Sequence, residues 1–245
     1  MKGQQGFTLI ELSVVLAIVG LLVGGGLMAS GPLFERAHIQ QTQQAMDQIE
    51  SAITLFAIRQ ERLPCSADGA LVANQPLYGR EQPGAKPGSC AVTDGRAVLP
   101  WVTLGLHDGL SSDGWGRRFS YVPAALLTGS DHPLRRQGTS YPSGGITVLS
   151  PAHPQIEITP EGEGAAYVLI SHGHDGTFGW MRGGGRMTPS GPRHPFDEAN
   201  GQGGRSFVQG SLNETVGPDH FDDVVRWRTA AFIIQSCGPA ACGNP

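Results

Sequence analysis

One apolar block near the start of the chain constrains everything that follows it. Residues 7 to 29 are almost pure hydrocarbon, preceded by the polar stretch Met1-Lys2-Gly3-Gln4-Gln5-Gly6 and interrupted by a single charge, Glu11. At ~1.5 Å per residue such a run makes about 34 Å of helix, enough to cross a bilayer core of ~30 Å. A carboxylate at the bilayer centre costs ~2.5–3.5 kcal/mol, and less near the interface, so an intramembrane acid is a functional position by default.

Three readings fit this beginning. One is a plain membrane anchor, with Glu11 incidental near the headgroups. Another is a cleaved secretory signal, with Met28-Ala29-Ser30 as a small-residue cleavage site. A signal has a cationic start and an apolar region of ~7–15 residues; here the apolar region is longer, only Lys2 is cationic, and Glu11 lies inside the block. The third rests on a motif. Gly6-Phe7-Thr8-Leu9-Ile10-Glu11-Leu12 resembles the processing site of type IV prepilins and type II secretion pseudopilins.

The resemblance implies a role for each residue. A prepilin peptidase cuts between Gly6 and Phe7 and N-methylates the new Phe7 amine. Glycine suits the scissile position because it lets another backbone approach closely. Glu11 then pairs with the N-terminal amine of a neighbouring subunit, which fits the need of a carboxylate in hydrocarbon for a partner. Lys2 lies on the leader side and Glu35-Arg36 beyond the span, a weak charge bias in the same sense as the orientation the resemblance implies, with Met1 in the cytoplasm.

Gly24-Gly25-Gly26 near the end of the apolar block and Gly31-Pro32 just past it are helix breakers. Ile39, Thr42, Met46, Ile49, Ile53 and Phe56 then recur at three- and four-residue steps. That spacing predicts an amphipathic helix whose stripe packs on the protein's own core. Leu63-Pro64 ends it, because the residue before proline is pushed out of the helical region.

The chain has 245 residues, a net charge of −4 and 16% charged residues, so it lacks the basic excess of a general nucleic-acid surface. With 36 glycines and 18 prolines and no period to them, the head is loop-rich rather than collagen-like. Cys65, Cys90, Cys237 and Cys242 all lie beyond the span, and an even count in an exported domain favours disulfides. Three pairings exist. Cys65–Cys90 with Cys237–Cys242 is preferred, because each encloses one local Gly/Pro-rich segment. Closing a ~25-residue loop contributes roughly 3–4 kcal/mol in the chain-entropy model. A zinc site among the cysteines lacks the Cys-x2-Cys rhythm.

In the head, residues 63 to 95 read as an irregular loop, and residues 98–104, 119–122, 146–149 and 166–170 as strands. Residues 224–234 fit one strand or one helix. The glycine-rich stretch from Trp180 to Pro218 reads as a long exposed excursion.

Three clusters extend the resemblance into the head. Asp113-Gly114-Trp115-Gly116-Arg117-Arg118-Phe119-Ser120-Tyr121, Ser171-His172-Gly173-His174-Asp175-Gly176 and Phe221-Asp222-Asp223-Val224-Val225-Arg226-Trp227 are similar to segments of the major pseudopilin of type II secretion. That family joins the last two by a short loop, whereas here they are far apart, which points to a minor or specialised subunit. The resemblance also implies a calcium ion held by carboxylates of Asp175 and Asp222 or Asp223, completed by backbone carbonyls. The alternative is that Asp175-Gly176 is a simple turn and Asp222-Asp223 caps the final element. His172 and His174 beside Asp175 suggest a transition metal only if a strand points both the same way, and no third ligand stands at matching spacing.

Gly-x-Ser-x-Gly, Gly-x4-Gly-Lys-[Ser/Thr] and His-Glu-x-x-His are absent from the sequence, so no motif points to an enzyme. Arg135-Arg136 and Arg182 to Arg193 are small basic patches near Trp180, which read as solvated loop arginines.

The expectation is an α+β chain: leader 1–6, long N-terminal helix 7–62 with residues 7–29 transmembrane, and a periplasmic head 63–245 built on a small antiparallel sheet. By the resemblance it is a minor pilin or pseudopilin, anchored once in the inner membrane and then assembled into a filament in the periplasm or at the cell surface. Its implied partners are other pilin subunits, the prepilin peptidase and the inner-membrane assembly platform. Alternatives are a filament-borne binding module that contacts exported substrate, DNA or a surface through its head loops, and a membrane-anchored enzyme.

Overall fold

The computed structural model describes residues 8–28, 30–86, 88–131, 133–134, 141–151, 155–189, 194–213, 215, 217, 220–237 and 242, with no side-chain description for 22–32. Gly6 and Phe7, the expected cleavage site, lie outside the described residues, as do Arg135-Arg136.

Two helices open the structure, α1 (Leu9–Met28) and α2 (Ser30–Gln60). Gly24–Gly26 falls inside α1, and Gly31-Pro32 falls inside α2, with residue 29 between the two outside the described residues. Both glycine sites therefore lie in helical backbone. On α2 the 3.6-residue stripe is the buried face: Thr42, Met46, Ile49, Ile53 and Ala57 are fully enclosed. On α1 the apolar side chains from Leu9 to Leu21 are all exposed, Leu9 at 89% and Leu21 at 77%. Among the described residues, no helix is long and apolar enough to cross a membrane. The side chains described on α1 end at Leu21.

The head is organised on a five-stranded antiparallel sheet: β1 (Ala67–Asp68), β2 (Ala97–Val98), β4 (Ser120–Pro123), β6 (Tyr167–Ser171) and β9 (Val224–Arg228), hydrogen-bonded in that order. Around it lie β3 (Arg117–Arg118) paired with β7 (Trp180–Met181), and β5 (Thr147–Leu149) running parallel to β8 (Ser206–Val208). Two short helices, α3 (Pro195–Gly201) and α4 (Ala230–Ser236), complete the fold. Every residue of β6 is buried, which requires cover on both sheet faces.

On one face lies α2. Register places Arg226 opposite Leu169 and Arg228 opposite Tyr167. The Arg228 Nη2 donates to Glu50 Oε2 at 2.8 Å, Arg226 pairs with Asp47 and Glu50, and the Tyr167 hydroxyl donates to Glu50 at 3.5 Å. Higher on α2, Thr42 Oγ1 accepts from the Gly114 N–H at 2.9 Å, and Trp115 Nε1 donates to Glu35 at 3.4 Å. The other face is covered by the chain between β6 and β9. Gln209 donates to the Val225 carbonyl and accepts from Trp227 Nε1, at 2.9 and 2.8 Å.

Several expectations need correction. The excursion from Trp180 to Pro218 is not an exposed loop: Trp180, Phe196, Phe207 and Val208 belong to the main hydrophobic core. The strand expected over 98–104 stops at Val98, because Pro100 cannot donate to a ladder and the chain turns there, Leu104 N–H bonding to the Pro100 carbonyl at 3.1 Å. Residues 224–234 are both elements, strand then helix, divided at Thr229. Its side chain accepts from the Phe232 N–H at 3.2 Å and so caps α4. Cys65 is bonded to Cys90 and Cys237 to Cys242.

Candidate functional site

The described part of the processing motif begins at Thr8. Glu11 Oε2 accepts from the Thr8 N–H and from the Thr8 hydroxyl, both at 2.9 Å, and Thr8 Oγ1 accepts in return from the Glu11 N–H at 3.3 Å. This reciprocal pair is a capping box, in which the first and fourth residues satisfy each other's free backbone donors at a helix start. Thr8-Leu9-Ile10-Glu11 therefore holds the Glu11 carboxylate at the very beginning of α1, next to the backbone nitrogen that follows Phe7. The Thr-x-x-Glu spacing was readable in the sequence as a cap and was missed in favour of the charge alone.

The second constellation sits where three segments meet: the turn after β6, the start of α3 and the entry to β9. Gly173 lies in this turn at φ +52°, and a Cβ there would come within 2.2 Å of the Asp222 carbonyl oxygen, so only glycine fits. Arg117 clamps the same turn, donating to the Gly173 and His174 carbonyls at 2.8 and 2.9 Å. Asp222 Oδ2 accepts from the Asp175 N–H at 2.8 Å, and Asp175 Oδ1 from the Thr177 N–H at 2.7 Å. The metal-binding atoms of Asp175, Asp197, His220 and Asp222 all lie within 4.8 Å of one another, and those of His194, Asp197 and His220 form an overlapping group with the same reach.

Asp175 and Asp222, which the sequence singles out, are thus brought together; Asp223 is not part of the cluster. Extended backbone sends successive side chains to opposite sides. Asp223 Oδ2 accepts from Asn200 Nδ2 at 2.7 Å, and its Oδ1 lies 3.7 Å from His172 Nδ1. His172 in turn pairs with Ser120 at 2.8 Å, so it serves the sheet, while His174 is exposed. Sequence reasoning missed Asp197, His194 and His220. The signals were the pairs His194-x2-Asp197 and His220-x-Asp222, but only the fold brings them face to face.

This cluster is electrostatically loaded. Asp197 and Asp222 are almost fully buried, and among the described residues both oxygens of Asp197, Asp222 Oδ1 and His220 Nδ1 have no hydrogen-bond partner. Burial pushes the Asp197 carboxyl up to about 8, with Asp223, Asp222 and Asp175 adding repulsion. Burial raises Asp222 to about 7 against the Asp175 N–H, with Asp223 and Asp175 adding repulsion. Calcium would use the carboxylate oxygens, yet it takes six to eight oxygen ligands. An imidazole nitrogen stands in this set with a second beside it, His194 stacking on His220 at 4.5 Å. The donors within reach are thus mixed, three carboxylates and an imidazole, where calcium takes an all-oxygen shell.

In the basic patch near Trp180, Arg193 lies outside the described residues, and Arg182 and Arg186 are paired internally. Arg182 donates to Ser112 Oγ at 3.2 Å and pairs with Asp108 at 3.5 Å, and Arg186 donates to the Phe178 carbonyl at 3.2 Å.

Comparison with known proteins bears on the N-terminal site. Residues 1–27 match the family model described as the prokaryotic N-terminal methylation motif. Two relatives, both named type IV major pilin protein PilE1 from Neisseria gonorrhoeae, are 36% identical to the chain over 73 residues. That stretch is 30% of this chain, and it spans 44% and 41% of the relatives' lengths, less than half of each. No solved structure matches.

Proposed function

We propose that this chain, type IV pilin-like by its methylation motif and its relatives, is a non-enzymatic structural subunit, a minor pilin or pseudopilin. In this reading a prepilin peptidase cuts between Gly6 and Phe7 and methylates Phe7. The apolar segment 7–29 holds the chain in the inner membrane with the head in the periplasm, and an assembly platform then adds it to a filament of type IV pilus or type II secretion kind. The observation that carries the reading is the methylation motif running directly into a helix whose apolar side chains are uncovered along Leu9–Leu21. A surface of that kind is covered by lipid or by like helices of neighbouring subunits. The capping box supports it further, since it presents Glu11 at the helix start, where a neighbour's Phe7 amine would reach it.

Two measurements test this. Mass spectrometry of the protein from its own cell is expected to find N-methylphenylalanine as the first residue; a chain still carrying its first six residues refutes it. Glu11→Ala is expected to insert in the membrane as before but to be absent from sheared filaments, because loss of one member of a buried charge pair costs ~3–5 kcal/mol. Normal assembly of that variant would remove the pairing role. The reading of a loop-borne binding module draws no support from the head, where Trp180, Phe196 and Phe207 are core residues.

A further inference from the structure

We propose that the side-chain cluster between the turn after β6, the start of α3 and the entry to β9 binds a divalent transition-metal ion of borderline softness, of the Zn2+ class, through His220, Asp197, Asp175 and Asp222. The proposal starts from the mixed donor set and does not depend on the assembly reading. Buried polar atoms in folded proteins are nearly always paired. Here four in one place are not: both Asp197 oxygens, Asp222 Oδ1 and His220 Nδ1. Asp197 is 1% exposed and Asp222 3%, so bulk water does not serve them. Three carboxylates converging in a buried cluster is costly, and a dication in their midst turns that repulsion into attraction.

The donor chemistry narrows the ion. Imidazole suits Zn, Cu, Fe and Ni and carboxylates suit Mg, Ca and Mn, and zinc is an ion that takes both His nitrogen and Asp oxygen in one shell. Ligand atoms around a tetrahedral zinc sit ~3.4 Å apart, given bonds of ~2.1 Å. The His220 Nδ1 to Asp197 Oδ2 separation is 3.9 Å and the whole group lies within 4.8 Å, so modest side-chain rotations close the shell. His194, stacked on His220, places a second imidazole against Asp197 in the same reach. Of the four donors His220 and Asp175 are half-buried, as is the neighbouring His194, which leaves this side of the cluster open to an ion. The ligand carboxylates are themselves held: Asp222 by the Asp175 N–H, Asp175 by the Thr177 N–H.

The full-length chain in detergent micelles, stripped with chelator, provides the test. Titration calorimetry with Zn2+ and separately with Ca2+, plus metal analysis after reloading, is expected to give one zinc per chain and at least a tenfold preference for zinc over calcium. His220→Gln and Asp197→Asn should each weaken zinc binding tenfold or more with the far-ultraviolet circular dichroism unchanged. Cobalt loaded into the unaltered chain should give visible bands of a site with nitrogen ligation, a readout that needs no variant. Calcium binding as tight as zinc, zinc affinity unaffected by His220→Gln, cobalt bands of an all-oxygen aquo ion, or no zinc uptake would each overturn the proposal.

Discussion

Replacing Glu50 with alanine tests how α2 is fastened to the sheet. Glu50 accepts from Arg228 at 2.8 Å, from Arg226 at 3.4 Å and from the Tyr167 hydroxyl at 3.5 Å, with its side chain only 12% exposed. Charge-assisted hydrogen bonds contribute ~1.5–3 kcal/mol, and removing one partner leaves the others partly desolvated. The two longer contacts add little, so the expected loss is about 2–3 kcal/mol. Asp47 pairs with the same Arg226, but its side chain is 68% exposed. Exposed ion pairs give ~0.2–1 kcal/mol, so Asp47→Ala should cost at most about 1 kcal/mol. The assay is thermal unfolding of the full chain in detergent. For a chain of this size each kcal/mol moves Tm by roughly 2–4 °C, so Glu50→Ala is expected to lower it by about 4–12 °C and Asp47→Ala by ~4 °C or less. A double-mutant cycle between Glu50 and Arg228 should recover most of the Glu50 effect. Equal losses for the two acids would refute the reasoning, because it holds that burial decides which carboxylate matters on this face.

The remaining predictions concern the head. Cys65→Ser/Cys90→Ser should cost roughly 3–4 kcal/mol in chemical denaturation, since that bond closes a separation of 25 residues; the pair separated by 5 residues should cost less, and the opposite order would count against an unfolded-state origin. Gly173→Ala should destabilise the head by at least ~1 kcal/mol for the left-handed backbone alone and more for the contact with Asp222, read as a drop in Tm; an unchanged Tm would show the turn is not held as described. In chelator, stability should fall as pH rises. Asp197 and Asp222 have folded values of about 8 and about 7 against an ordinary 3.8, so the folded state holds more protons between those limits. The favourable contribution is complete below about 3.8 and lost by about 8. A metal-free Tm that rises from pH 5 to pH 8 would contradict the burial of these acids.

Much of the α-helical half was legible because it is periodic. The stripe on α2 needs only the 3.6-residue repeat, and Thr42, Met46, Ile49 and Ile53 are buried where that repeat puts them. Strands β4, β5 and β6 were found within a residue or two, since they are short apolar runs between turn residues. The segment from Trp180 to Pro218 was misread because its glycines dominate its composition. Its anchors, Trp180, Phe196 and Phe207, are too widely spaced to show a period. In the same way Pro100 ended a strand that apolar content alone would have extended.

The linear order of residues determined the leader motif, the apolar helix with its lone acid and the capping box that positions it, because each is made by neighbours within one or two helical turns. The metal-like cluster could be decided only by tertiary structure. Asp175, Asp197, His220 and Asp222 come from three separate segments, and β6–β9 pairing with the packing of α3 against β8 carries them to one point. Charges that are harmless apart in an extended chain become costly when folding removes the water between them, and that cost exists only in the folded state.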